Sequence, residues 1–100
     1  MDITIHSVRF DADQKLETFI GNKVGKLDQF IDGLIGAEVF LKLEKSQSQD
    51  NKIVEVKIKV RGSEMFVKKR SKTFEEATDQ SIDALKKQII KHKEKKHKGL

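Results

Sequence analysis

The sequence predicts an α+β domain of order β-α-β-β-β-α, a four-stranded sheet with two helices packed on one of its faces. Three observations carry this reading. Residues 53–62, IVEVKIKVRG, alternate apolar and charged without a break, the mark of a half-buried strand. Two longer stretches, about Leu16 to Ile31 and Thr73 to about Lys96, instead place apolar residues at helical intervals. The chain has no proline, no repeat and no linker, so residues 1–100 are expected to form one domain.

Taken in order, residues 2–7 alternate, with Ile3 and Ile5 pointing one way, and predict the first strand. Asp11 and Asp13 follow and either can cap a helix; Asp11 with Gln14 has capping-box spacing. The helix then shows Leu16, Phe19, Ile20, Val24, Leu27, Phe30 and Ile31, with Gly21 and Gly25 inside it and Gly33 and Gly36 expected to end it. Val39, Leu41 and Leu43 alternate with polar neighbours and predict the second strand, and SQSQDN is a loop. The third strand is the alternating run, with Val54, Val56, Ile58 and Val60 inward. Gly62-Ser63 turns the chain into a fourth strand, EMFVKKRSK, antiparallel to the third. Thr73 and Glu76 have capping-box spacing for the last helix, whose stripe is Phe74, Ala77, Thr78, Ile82, Leu85 and Ile89. Each helix has one apolar stripe, so both must share one sheet face and the other should be wet.

Composition narrows the chemistry. Without cysteine there is no disulfide framework, no thiolate metal site and no cysteine nucleophile. Nucleophile-elbow, phosphate-loop and HExxH motifs are absent, so no enzyme activity, cofactor, metal or small-molecule substrate is expected. His92 and His97 stand five apart, an awkward helical spacing for two ligands. Asp79 and Asp83 resemble paired carboxylates, but Asp83 with Lys87 reads more simply as a helix-stabilising pair. The start MDITIHSVRF is not a signal peptide, and no apolar run approaches the ~20 residues that span a bilayer, which points to the cytoplasm.

Charge is the strongest functional signal. Residues 1–50 hold six Lys/Arg and nine Asp/Glu; residues 51–100 hold fifteen and seven. The final fifteen residues contain seven lysines and two histidines against one glutamate. Exposed lysine ordinarily serves solubility, and lysine near a helix C-terminus complements the macrodipole. Those roles account for three or four of the seven. Lys87, Lys91 and Lys95 step by four along one stripe, Lys86 and Lys93 lie on a neighbouring one, and Lys23 and Lys26 add charge on the first helix. This favours a two-helix basic surface for a polyanion. Phe40 and Phe66 are the only aromatics with a route to solvent, which argues against a stacking platform for single-stranded bases. Lysine contacts phosphates without reading sequence, so a structured RNA fits best. A membrane surface is the weaker reading, because the apolar stripe is expected to be consumed by the core.

These residues also carry a resemblance. K-V-G-K-L-D-Q-F-I-D (Lys23 to Asp32), V-F-L-K-L-E-K (Val39 to Lys45) and D-A-L-K-K-Q-I-I-K-H-K-E-K (Asp83 to Lys95), in this order, resemble the ribosome hibernation promoting factor family, also called the ribosome-associated inhibitor or sigma-54 modulation family. The resemblance covers essentially the whole chain. It implies a fold similar to a double-stranded RNA-binding domain. It also implies binding to 16S rRNA of the small ribosomal subunit, in the channel of mRNA and of A- and P-site tRNA, silencing translation in stationary phase or stress. By motif match the rRNA-binding residues are Lys23, Lys26, Lys86, Lys87, Lys91, His92, Lys93 and Lys95. Val8 stands where the family often has a basic residue, with Arg9 one place along. Glu75 replaces a usual tyrosine. KKRSK is more basic than the family pattern, so Lys68, Lys69 and Arg70, with Arg9, are additional candidate contacts. Long members carry a second, dimerising domain, which is not expected here, so any ribosome dimer would call on a second hibernation factor or act through the small-subunit head. The last residues, 95–100, are either the end of the helix or a frayed extension. A general structured-RNA-binding or RNA-chaperone module is the alternative.

Overall fold

The computed structural model of the chain describes residues 2–45 and 49–98, with side chains described as far as Lys93. The element order is β1 (Asp2–Val8), α1 (Gln14–Gly25), a 3₁₀ turn (Lys26–Gln29), β2 (Leu34–Leu43), β3 (Lys52–Val60), β4 (Ser63–Ser71) and α2 (Phe74–Lys98). The strands form one sheet in the order β1-β2-β3-β4. β1 runs parallel to β2, as a connection through α1 requires, and β2, β3 and β4 form an antiparallel meander. The expected order and class are those observed.

Alternation decides the two faces. Val39, Val56 and Val67 stand opposite one another across three strands, and Ala37, Leu41, Val54, Ile58 and Met65 share their face. Both helices close over that face: Ile20 and Val24 of α1 and Leu85 and Ile89 of α2 have no accessible surface. α2 also buries Thr78 and Ser81. Their hydroxyls donate to the carbonyls of Phe74 and Ala77 at 2.7 Å, so the polar groups are satisfied within the helix.

Three details differ from the sequence expectation. The first helix does not run as one α-helix to Ile31. It ends at Gly25, and the next four residues tighten into a 3₁₀ turn that keeps Leu27 buried. Its cap is Asp13, whose Oδ1 accepts from the Leu16 N–H at 2.8 Å. β2 begins at Leu34, so Gly36 lies inside the strand instead of ending the helix. A Cβ at Gly36 would stand 3.1 Å from the Asp2 carbonyl oxygen, which explains a glycine where β1 pairs closely. At α2, Thr73 Oγ1 accepts from the Glu76 N–H at 3.0 Å as the capping spacing predicts, but the Glu76 carboxylate accepts from Ser71 Oγ at 2.7 Å, tying the helix start to the end of β4. The β3–β4 turn is Arg61-Gly62, with Gly62 at φ +80°.

Two substitutions separate packing from propensity. A Cβ at Gly21, inside α1, meets nothing within 4 Å. Gly21→Ala should therefore stabilise the fold by about 0.5–1 kcal/mol. Leu85→Ala removes a fully buried side chain and should cost about 2–5 kcal/mol. Urea unfolding followed by circular dichroism reads both.

Candidate nucleic-acid interface

Charge on α2 is divided along its axis. Residues 74–85 contain four acids and no base, whereas residues 86–98 contain seven lysines and one glutamate. The division suits the helix dipole at both ends. It also places the basic half over the end of the sheet where β2 starts and β3 finishes, because Leu34 pairs with Val60 there and His92 and Lys93 lie against Val60 and Arg61. The apolar stripe of α2 is buried over Ala77, Ile82, Leu85 and Ile89, so the lysines take the remaining surface. Ile90 is the one large apolar side chain of α2 left exposed among the described residues. None of the described helices is long and apolar enough to cross a membrane.

The structure sorts the candidate residues into three groups. Lys23 and Lys86 lie at the seam between the helices and already have partners. Lys23 Nζ sits 3.2 Å from Asp79 Oδ1 and 5.5 Å from the centre of the Phe19 ring. Lys86 Nζ lies 4.9 Å over the Phe30 ring. Lys26, Lys87, Lys91 and Lys93 are exposed and, among the described residues, form no ion pair. The Asp83–Lys87 pair that the spacing allows is not closed. His92 is half-buried beside Lys93. The side chain of Lys95 and the residues after Lys98 lie outside the described residues.

The additional candidates do not join this surface. Arg9 sits at the opposite end of the molecule, in the turn after β1, at φ 68°. Its neighbour Phe10 stacks on Phe74 at the start of α2, with ring centres 5.0 Å apart. Lys68 and Arg70 project from the sheet face away from the helices, and Arg70 Nη2 lies 2.7 Å from Glu44 Oε2. Lys69 points to the helix side and is half-buried. The outer face is charge-compensated elsewhere too: Lys42 with Glu55 at 2.8 Å, Lys57 with Glu64 at 3.7 Å, His6 with Glu38 at 3.3 Å. Phe40 on that face stacks against His6 at 4.8 Å, leaving Phe66, 52% exposed, as an isolated ring. One cation escaped the sequence reading. Arg61, at the β3–β4 turn, meets His92 and Lys93 across an open cleft; its separation in sequence from α2 hides that proximity. Among the described residues, no three His, Asp or Glu side chains gather as a metal site.

Comparison with known proteins agrees with this architecture. The family described as sigma 54 modulation protein / S30EA ribosomal protein matches residues 3–97. A ribosome hibernation promoting factor of Klebsiella oxytoca is 30% identical over 95 residues, covering 95% of this chain and 94% of that protein. One from Azotobacter vinelandii is 26% identical over 95 residues, covering 95% and 85%. A ribosomal subunit interface protein from Coxiella burnetii superposes with a TM-score of 0.83 at 20% identity, over 93% of this chain and 98% of that one. The N-terminal domain of Thermus thermophilus Protein Y superposes with a TM-score of 0.77 at 21% identity, over 89% and 96%. The two structures share the fold.

The asymmetry between the faces is measurable without a specific ligand. The double change Lys87→Glu with Lys91→Glu should elute from a heparin column at much lower salt than Lys57→Glu with Lys59→Glu. The two variants have the same formal net charge, so equal elution would mean that net charge alone governs binding.

Proposed function

The chain belongs to the sigma 54 modulation protein / S30EA ribosomal protein family, and from that premise we propose that it is a ribosome hibernation factor without enzymatic activity. In this reading it works in the cytoplasm. It binds 16S rRNA of the small subunit within the mRNA and tRNA channel, covers the A and P sites, and silences translation in stationary phase or stress. The observation that carries the proposal is that Lys87, Lys91 and Lys93, like Lys26, are exposed with no ion pair among the described residues, on a helix whose apolar side is already buried. A surface of that kind suits an anion, and the names of the relatives favour the ribosome as its source.

The physical role of each group follows from its place. Lys87 and Lys91 are free point charges that can each neutralise a phosphate and release its counterions. Lys26 extends the surface onto the 3₁₀ turn. Lys23 stands beside Asp79 across the seam, and the buried Ile20, Val24, Leu85 and Ile89 beneath it hold the helices so that both meet the RNA as one unit. Blocking the channel needs no chemistry beyond this: a folded domain wedged where tRNA and mRNA pass excludes them by volume. The outer face, where Lys42, Lys57 and Arg70 stand beside glutamates, favours docking from the helix side.

Sucrose-gradient sedimentation tests the proposal. The purified protein should travel with 30S and 70S particles and stay away from free 50S subunits. The same gradients show whether it also gathers ribosomes into 100S dimers. The Lys87→Glu, Lys91→Glu variant should lose the 30S peak while its circular dichroism stays native. Affinity should fall steeply with salt, each phosphate contact adding about −0.7 to −0.9 to the log–log slope. Excess duplex RNA should fail to displace the protein from 30S subunits; ready displacement would instead indicate a general RNA-binding module.

A further inference from the structure

The cleft that brings Arg61 to α2 contains a residue that a purely phosphate-binding surface would exclude. Its walls are Asp32 and Gly33 after the 3₁₀ turn, Val60 and Arg61 at the end of β3, and His92 and Lys93 of α2, around an open space of ≈ 430 Å³. The walls are tied together. The Arg61 N–H donates to the Gly33 carbonyl at 3.1 Å, and a Cβ on Gly33 would stand 3.6 Å from that of Arg61. These two walls are therefore held in register with each other. Asp32 is exposed within it, and although three basic side chains line the same walls, it closes an ion pair with none of them.

A carboxylate with no ion pair among the described residues repels a phosphate, so its presence beside Arg61, Lys93 and a histidine calls for a different partner. Ionised aspartate only accepts hydrogen bonds. The donor that sits beside a phosphate in RNA, and is missing from DNA, is the ribose 2′-hydroxyl. We propose that Asp32 accepts a hydrogen bond from a ribose 2′-hydroxyl while Arg61, His92 and Lys93 hold the flanking phosphates, so that this cleft distinguishes RNA from DNA. Arg61 suits the phosphate role better than another lysine, because its planar guanidinium can grip two phosphate oxygens at once. The inference rests on the reading of α2 as an RNA-binding helix and adds to it a residue that selects the sugar, where the lysines only count charge.

The test uses the wild type, Asp32→Ala, Asp32→Asn and Arg61→Ala. Binding is measured to 30S subunits and, by fluorescence anisotropy at low salt, to an RNA duplex and a DNA duplex of the same sequence. Asp32→Ala should weaken binding to 30S and to duplex RNA by about tenfold, the worth of one hydrogen bond to a charged group. Its binding to DNA should hold or tighten. Asp32→Asn keeps a carbonyl acceptor and should keep most of the RNA preference. Arg61→Ala should weaken RNA and DNA alike and flatten the salt slope by about 0.7 to 0.9. If Asp32→Ala tightens RNA and DNA equally, or leaves their ratio unchanged while the wild type binds 30S, Asp32 acts only as a charge and the inference is overturned on its own. If the wild type binds neither 30S nor RNA, the RNA reading falls and this inference with it.

Discussion

The basic surface of this chain depends on the burial of one helix stripe. Leu85 and Ile89 are fully enclosed between the sheet and α1, and Ala77 and Ile82 continue the same line toward the start of α2. Burial of that stripe fixes the rotation of the helix about its own axis. Once the rotation is fixed, the direction of each lysine between Lys86 and Lys93 follows from helical geometry. The same burial removes the apolar surface that an amphipathic helix would need to lie in a lipid interface. The helix is thus a rigid mount for charge, held at its start by Thr73 and by the Ser71–Glu76 hydrogen bond.

The two faces of the molecule handle charge in opposite ways. On the outer sheet face lysine, arginine and histidine mostly stand beside glutamate, in pairs each worth about 0–1 kcal/mol at an exposed site. Such pairs add little stability, but they leave little net field. On the basic half of α2, Lys87, Lys91 and Lys93 are exposed, form no ion pair among the described residues and repel one another. The exception is informative. Lys23 is paired with Asp79 across the helix seam, and Lys86 is spread over an aromatic ring. The cations nearest the seam have partners within the fold, and Lys87, Lys91 and Lys93 farther out have no ion pair among the described residues.

Much of this was legible in the sequence because it follows from periodicity. The unbroken alternation of Ile53 to Arg61 set the third strand, and the stripe from Phe74 to Ile89 set both the last helix and its buried side. What periodicity cannot report is where distant segments meet. Lys23 and Asp79 belong to separate runs, and nothing local marks them as partners. Arg61 reads as one more outward charge until the turn brings it to His92. Gly36 reads as a helix stop because glycine usually punctuates, whereas its reason is the Asp2 carbonyl on a neighbouring strand. The two-helix surface was expected from Lys23, Lys26 and the lysines of the last helix, but the split between bound and free members needed coordinates. The basic run Lys68 to Arg70 divides between the two faces, because in a strand consecutive residues point to opposite sides.

With about 3.6 residues per turn, Lys86 and Lys93 project from one flank of α2, and Lys87 and Lys91 from another, more than a third of a turn away. A flat anionic sheet laid against the helix reaches one flank and leaves the other in water. A partner that neutralises both must curve around the helix, with phosphates on two sides. A groove within a folded RNA has that shape. The Arg61 cleft lies at the foot of the first flank, beside Lys93, and so deepens the same side. Charge alone points to a polyanion; the angular spread of the charges points to a concave one.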